Sequence, residues 1–505
     1  MPALPTAALR SRAMRWGAFA VRVDADGTGF ELLHGEDLWA RFTLAGLRPT
    51  GRFTDDADEV EHGFAIGDAG CAVRHAVGEA WSVRWALRAA DPVSADGSSD
   101  LLPDVVFRGD GSPGPPRGEL CGQPRLSIRP GPGCVVWAWA AGAEGLIAIG
   151  PAGRAAPVVG LRLTQGWLRA DGDGFALAPA DLALSPGRRW VGTLRADLYP
   201  TMDALGARLP AWLAPLELTA GQPWEFRDPD HALVVQPPAT TRAEGDAVQV
   251  IGRPGRAGVT LHSPRGLTAL TVSFAPMLET LLAAGASQVL RGREPVTPAG
   301  AFVVAEAQGR ALVSAPSAAE RLLDDRDWSQ DADLLAIATG IVRGQRSGNA
   351  RMLRAALRRL QLVHPQPGYG RVVMAAWLAS LALGEDAREE ALALLSRPSG
   401  SGWVALELNV LNLRSQEVSG GSFAGLINAL GGDLPGEPVG VDAVRQAQLV
   451  GLLQLCPEEW PMAQQAAACA TKNSRRLLAS VAASDFSDPD DLAVLAWLAL
   501  GQSLV

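Results

Sequence analysis

Lysine, tyrosine and cysteine are among the residue types that this sequence uses least. It contains one lysine, Lys472, and two tyrosines among 505 residues, whereas tryptophan occurs 15 times. Schiff-base chemistry requires a lysine amine, so the sequence excludes it everywhere except at Lys472. The five cysteines form no Cys-x-x-Cys pair, which argues against a thiolate zinc site and a disulfide framework. This cysteine usage predicts a reducing, cytoplasmic location.

Long apolar runs and targeting segments are also missing. The most apolar stretch, residues 133–150, is interrupted by Glu144 and four glycines, so no membrane span is predicted. Residues 1–15 have no continuous apolar core, and no signal peptide is predicted. The net charge of −9 argues against nucleic acid as a partner. P-loop, Rossmann, zincin and Gly-x-Ser-x-Gly motifs are absent from the sequence.

The hydrophobic periodicity changes along the chain. Before residue 312 apolar residues mostly alternate with polar ones, as in strands, and after Asp333 they recur every three or four positions, as in helices. The predicted fold is multidomain, β then α. It comprises a large N-terminal β-sandwich in residues 1–202, a smaller β-sandwich in residues 203–315, and a C-terminal antiparallel α-hairpin stack in residues 316–505. Residues 301–305 are predicted to be a strand, and residues 458–471 and 475–483 to be separate helices.

Three segments of the N-terminal part carry a family resemblance. They are residues 29–47, residues 71–87, and the run Leu182-Ala183-Leu184-Ser185-Pro186-Gly187 followed by Trp190. They resemble the galactose-mutarotase-like supersandwich of glycoside hydrolases and phosphorylases, over residues 15–200. The resemblance implies a supersandwich-like N-terminal domain and a carbohydrate ligand. Those enzymes have a larger helical toroid and no second β domain before it, so no catalytic residue is carried over.

Two tryptophan pairs are candidate ligand-binding residues. Trp137 and Trp139 are two positions apart on one predicted strand, and Trp81 and Trp85 share a face of another. If exposed, each pair would form a sugar-stacking platform. If buried, each belongs to the sandwich core, and the usual burial of tryptophan favours this alternative.

His62, His75 and Glu79 are a second candidate set. A mutarotase-like site needs a base and an acid, and neighbouring strands could bring these three side chains together. The favoured alternative is that the histidines are separate residues of a loop and a strand.

The densest run of ionisable residues contains Asp55, Asp56 and Asp58, together with Glu59 and Glu61. Such carboxylates can bind a hard cation, and calcium is the cofactor that would suit them. The favoured alternative is a solvated loop between strands. Catalysis is not expected here, because the two carboxylates of a glycosidase flank a bond from opposite sides and usually come from distant parts of the chain.

Other polar segments have the composition of turns. His34-Gly35-Glu36-Asp37 predicts a strand connection, and Asp228-Pro229-Asp230-His231 predicts a turn rather than a set of metal ligands.

Two functional hypotheses follow. The first is a carbohydrate-binding or carbohydrate-active protein in which the N-terminal β-sandwich recognises the ligand. The alternative is a non-catalytic scaffold whose helical stack recruits a protein partner. The arginines of residues 351–359 would give that stack a basic face, although a solvated face is the default interpretation. The expected partner is therefore a glycan or a protein.

Overall fold

A computed structural model describes most of the chain. The described residues are 11–66, 69–89, 118–119, 123–152, 157–185, 188–228, 230–292, 295–325, 327–328, 331–398, 402–411 and 416–502.

Strands make up the chain as far as Ala275, because buried and exposed residues alternate along it, as in Glu59–Ile66. The first strands are β1 (Arg12–Trp16), β2 (Phe19–Val23), β3 (Gly29–His34), β4 (Asp37–Ala45), β5 (Arg48–Asp56), β6 (Glu59–Ile66), β7 (Ala69–Val77), β8 (Trp81–Arg88), β9 (Gly118–Glu119), β10 (Arg125–Pro130), β11 (Cys134–Gly142), β12 (Gly145–Pro151) and β13 (Val158–Gln165). The others are β14 (Leu168–Asp171), β15 (Gly174–Ala176), β16 (Ala183–Leu184), β17 (Arg189–Tyr199), β18 (Glu217–Thr219), β19 (Trp224–Phe226), β20 (Ala232–Val235), β21 (Thr240–Glu244), β22 (Ala247–Ile251), β23 (Gly255–Ser263), β24 (Gly266–Ala275) and β25 (Glu437–Pro438).

Strand β11 joins two layers of a curled, mostly antiparallel sheet. One layer runs in the order β5–β6–β7–β8–β17–β13–β12–β11. The other begins β1–β2–β3–β4–β10–β15–β14 and also reaches β11. The side chains between the layers form one apolar core, which contains Trp39, Trp81 and Trp85.

The second β segment continues the first rather than standing apart. Gly142 of β11 pairs with Thr268 of β24, which in turn pairs with β23 and, in parallel, with β18. Strands β19, β22 and β21 form a small separate sheet. A second apolar core combines Trp137 and Trp139 of β11 with Trp224 and Phe274. The predicted order of β then α is confirmed, with the two β parts joined through β11.

Helices make up most of the chain after Ala275. They are preceded by the short α1 (Met202–Gly206) and comprise α2 (Leu278–Arg291), α3 (Pro298–Gly309), α4 (Pro316–Asp324), α5 (Leu334–Arg346), α6 (Ala350–Leu362), α7 (Tyr369–Ala382), α8 (Arg388–Leu395), α9 (Gly402–Val410), α10 (Gln416–Ala429), α11 (Ala443–Leu453), α12 (Ala463–Ser484) and α13 (Asp491–Gln502).

Two predictions about the helical part are wrong. Residues 301–305 belong to α3 and not to a strand; Phe302, Val303 and Val304 are all buried, and such a continuous apolar run fits either element. Residues 463–484 form the single helix α12 rather than parts of two. The helical core includes residues of α2 from Leu278 onwards. The division into three independent domains stays a prediction.

Helix α12 connects the helical part to the β part. It packs on β18, β23 and β24. Its Lys472 and Arg476 lie over the ring of Trp137, with the charged atoms 4.8 and 5.1 Å from the ring centroid. The indole N–H of Trp137 donates to the carbonyl of Pro435 at 2.7 Å. The one lysine of the chain thus lies in a buried junction, where cation–π contacts add to packing.

Candidate functional site

Several separate segments of the β part meet at a cleft of about 720 Å3. They are the β11–β12 turn, strand β13, the segment that follows α1, the loop before β20, and the β23–β24 turn. We call it the Glu144 cleft, and its polar and aromatic lining consists mainly of Trp139, Glu144, Arg162, Arg208, Trp212, Asp230, His231 and Arg265. A cleft of this size, with a few converging polar groups, is the usual form of a ligand site.

Glu144 lies in the β11–β12 turn and pairs with Arg265 of the β23–β24 turn at 2.6 Å. The same guanidinium donates to the carbonyls of Ala143 and Leu163, which holds the two turns together. Burial raises the pKa of Glu144 above its ordinary value, and the electrostatic influence of Arg265 and His231 offsets part of the rise. A carboxyl group with a raised pKa inside a cleft is a candidate proton donor.

His231 lies across the cleft in the loop before β20. Its Nδ1 is 3.2 Å from the Oδ2 of Asp228, and both side chains are largely buried. Trp212 packs beside the imidazole, with ring centroids 5.3 Å apart. The contact with Asp228 is electrostatic, because the buried Nδ1 has no hydrogen-bond partner within the described residues.

Arginines give the cleft its positive charge. The Nη2 of Arg162 is 3.7 Å from Asp197, and its buried Nε has no hydrogen-bond partner within the described part of the chain. Arg208 is exposed at the edge of the cleft. These donors could stabilise negative charge on a bound molecule.

The four candidate tryptophans are buried. Trp81 and Trp137 have no exposed surface, and Trp85 and Trp139 have 2% and 6%. The core alternative is therefore confirmed, and none of the four offers an open stacking face. Trp139 alone touches the Glu144 cleft, at its wall.

The structure brings His62 and His75 to one face of the sheet. They lie on the paired strands β6 and β7, with Val60 opposite His75 and Val73 opposite His62. Both histidines are buried, and burial lowers the pKa of His75 to about 3. Glu79 is exposed in the β7–β8 turn, where its carbonyl accepts from the indole of Trp16. These three side chains line neither the Glu144 cleft nor the two other prominent cavities of the described residues.

The acidic residues Asp55, Asp56 and Asp58 are exposed near the β5–β6 turn. Asp55 pairs with Arg12 at 3.2 Å, and Asp56 accepts from the backbone N–H of Ala57. Among the described residues, no group of three or more His, Cys, Asp or Glu side chains has a metal-binding arrangement. Calcium binding by this loop stays a prediction.

The other polar segments behave as their composition predicts. The backbone N–H of Asp230 donates to Asp228 at 2.8 Å, which closes the predicted turn, and residues 35–36 connect β3 to β4. On α6, Arg354 pairs with Glu385, and Arg359 donates to the carbonyl of Asp331. A protein partner for this face stays a prediction. Within the described ranges, no helix has the length and apolar character needed to cross a membrane.

Comparisons with known proteins support the fold. No protein-family model matches the chain, and no curated protein sequence matches it significantly. A solved structure of a polysaccharide lyase superposes over 97% of this chain and 100% of its own, with 11% sequence identity and a TM-score of 0.58. A mutant glycoside hydrolase family 81 enzyme from Clostridium thermocellum covers 96% of this chain and 84% of its own, at 9% identity and a TM-score of 0.21. The first comparison shows a shared fold, and the second is too distant to support an argument.

Proposed function

We propose that the protein is carbohydrate-active and that the Glu144 cleft is where it binds and processes a glycan. The observation that carries this proposal is the arrangement within one cleft of a protonatable carboxyl group, an imidazole beside a carboxylate, and several guanidinium groups. The fold shared with a polysaccharide lyase supports a carbohydrate substrate by analogy.

The polar groups of the cleft suit proton transfer. His231 is the candidate base, because its imidazole lines the cleft and has the carboxylate of Asp228 3.2 Å from its Nδ1. Glu144 is the candidate acid, because burial favours its protonated form. The arginines would stabilise negative charge that develops on the substrate when the base removes a proton.

This set of groups fits elimination better than hydrolysis. Glycoside hydrolysis usually employs two carboxyl groups on opposite sides of the bond. Here an imidazole and guanidinium groups accompany the carboxyl groups of Glu144 and Asp230, and this combination suits removal of a proton next to a substrate carboxylate. In that step the C–H bond breaks as its proton passes to His231. A carbon–carbon double bond forms, and the leaving sugar oxygen takes a proton from Glu144. The substrate class would then be an acidic, uronate-containing glycan.

The direct test is a screen of acidic and neutral polysaccharides with the full-length protein. We expect an acidic polysaccharide to yield unsaturated products, detected by their ultraviolet absorbance and by mass spectrometry. Glu144→Gln should lower turnover by about 10²-fold or more, the usual contribution of a general acid. Glu244→Gln, at an exposed position on β21, is the matched control and should leave turnover unchanged.

Other outcomes separate the parts of the proposal. New reducing ends without unsaturation would reject elimination and retain a carbohydrate-active protein. Neither binding nor turnover with any polysaccharide would reject the proposed function.

A further inference from the structure

A second cavity, of about 330 Å3, lies between the β part and helix α12. Its walls are small residues of β11 and β14, the 269–273 face of β24, Glu217 of β18, and Arg476. Trp139 touches both this cavity and the Glu144 cleft. The volume is at the lower end of the range for ligand sites, so it would admit a molecule of monosaccharide size and no oligosaccharide.

Glu217 is the distinctive group of this cavity. Only 8% of its surface is exposed, and burial raises the pKa of its carboxyl group. Its carboxylate accepts a hydrogen bond from its own backbone N–H. Its partner across the parallel β18–β24 pair is Ser273, which is also buried and lines the cavity. A carboxylate has about four acceptor positions, so a bound donor that uses the others would stabilise it in this buried setting.

The charge behind Glu217 is already balanced. Lys472 and Arg476 are near enough to lower its pKa in opposition to burial. Their own donors are engaged: Lys472 donates to the carbonyls of Gly432 and Leu434, and Arg476 donates to Gly436, Gln446 and Asn473. Glu217 therefore has a charge that is compensated and acceptor positions that are not used.

The cavity lining carries charges of both signs. Arg256 pairs with Glu437 at 3.4 Å, and both side chains are partly exposed. A cationic ligand would meet the guanidinium groups of Arg256 and Arg476, and an anionic ligand would meet the carboxylates of Asp173, Glu217 and Glu437. A neutral ligand avoids both repulsions.

We infer that this cavity is a binding site for a small, neutral, polyhydroxylated molecule of monosaccharide size, whose hydroxyl groups donate to Glu217. The Ser273 hydroxyl would provide a further hydrogen bond on the same face, and the alanines of the wall leave room for the ring. The inference does not depend on a reaction at the Glu144 cleft.

The test is calorimetry and thermal denaturation of the full-length protein with defined sugars. The neutral probes are D-glucose, D-galactose, D-mannose and L-rhamnose; D-glucosamine is the cationic probe and D-glucuronate the anionic one. We expect at least one neutral sugar to bind and to raise Tm. Glu217→Gln should weaken that binding by at least about tenfold, since a hydrogen bond to a charged group contributes on the order of 1.5–3 kcal/mol.

A second variant keeps the test decisive if Glu217→Gln fails to fold. Ala269→Leu places a larger apolar side chain in the cavity without changing any charge, and it should abolish binding. Ala232→Leu, at an exposed position on β20, is the matched control and should bind as the wild type does.

Three outcomes would overturn the inference. One is the absence of any Tm shift with neutral sugars at ~50 mM, where a site with a dissociation constant below about 5 mM would be stabilised measurably. The second is tighter binding of glucosamine or glucuronate than of every neutral sugar. The third is neutral-sugar binding that survives Ala269→Leu unchanged.

Discussion

The β part contains two histidine sites that differ in what surrounds the imidazole. His75 lies in the sandwich core between Phe30 and Trp81, with ring centroids 4.7 and 6.5 Å away. Neither of its ring nitrogens has a hydrogen-bond partner within the described residues. His231 has the carboxylate of Asp228 at 3.2 Å and opens onto a cleft. Nδ1 of His231 likewise has no hydrogen-bond partner within the described residues. The first imidazole is a packing element, whereas the second has a carboxylate beside it and the access that a base requires.

The difference shows why a perturbed pKa alone does not define a site. Burial lowers the pKa of His75 to about 3, a large departure from the ordinary value. That imidazole is neutral at physiological pH, but it lines neither the Glu144 cleft nor the two other prominent cavities of the described residues. Access and a second functional group distinguish the Glu144 cleft, although the pKa of Glu144 is less strongly shifted.

The largest expected effect is at His231. Replacement by glutamine removes the base, so turnover of the glycan should fall by about 10²- to 10⁴-fold, the usual contribution of general base catalysis. Asp228→Asn should cause a smaller loss, because Asp228 acts through the imidazole as a positioning residue. His262→Gln, at an exposed position on β23, is the control for removal of a histidine. Steady-state kinetics of the three variants would measure this, and a loss below tenfold at His231 would contradict its role.

The buried histidines should make folding sensitive to acid. The pKa of His75 is about 3 in the folded protein and 6.5 is its ordinary value, and burial also lowers the pKa of His62. Between pH 6.5 and pH 3, His75 is therefore protonated in the unfolded chain but neutral in the folded protein. Stability is fully present above pH 6.5 and declines as the pH falls, by roughly 1.4 kcal/mol per pH unit for His75, and burial of His62 acts in the same direction. Urea denaturation between pH 7 and pH 4 would measure the slope.

His75→Phe should raise the free energy of unfolding by about 1–3 kcal/mol. The substitution removes two buried nitrogens without partners and keeps an aromatic ring against Phe30 and Trp81, so the free energy of unfolding should rise. His75→Gln retains a polar group and should destabilise the protein. Both variants should flatten the acid slope, because neither side chain titrates. A slope that persists in both would show that other groups cause the acid sensitivity.

The order of β then α was predictable, because periodicity is local and each half repeats its own pattern many times. Tryptophan burial was also predictable, since Trp81 and Trp85 share a face with other core residues. The helix at residues 298–309 was missed because eight of its residues, including Phe302 and Val303, are buried, which removes the amphipathic signal.

The Glu144 cleft could not be predicted from local patterns. Glu144, Arg162, His231 and Arg265 come from four segments, and only the pairing of β11 with β24 and the docking of two turns bring them together. The turn that carries His231 was recognised correctly from its Asp-Pro-Asp composition. The proximity of His231 to Glu144 depends on tertiary structure, and it cannot be inferred from their spacing in the sequence.

The smallest expected effect is at the acidic loop, which has charges but neither a cavity nor buried partners. Asp55 and Arg12 form an ion pair with 38% of each side chain exposed. Exposed pairs of this kind contribute about 0–1 kcal/mol, so Asp55→Asn should hardly change the free energy of unfolding. Glu59→Gln and Glu61→Gln should leave turnover of any glycan within a few fold, because neither lines the Glu144 cleft.

Calcium provides the sharper test of the same loop. If Asp55, Asp56 and Asp58 bind the ion, calcium should raise the Tm of the wild type and not that of Asp56→Asn, with magnesium as the control cation. Equal shifts in both proteins would place any calcium effect elsewhere. A loss in kcat of more than about 10²-fold from Glu59→Gln or Glu61→Gln, the scale of a general acid or base, would instead make this loop the active site. Access to the Glu144 cleft would then not be what separates functional polar groups from the other polar groups of the sandwich.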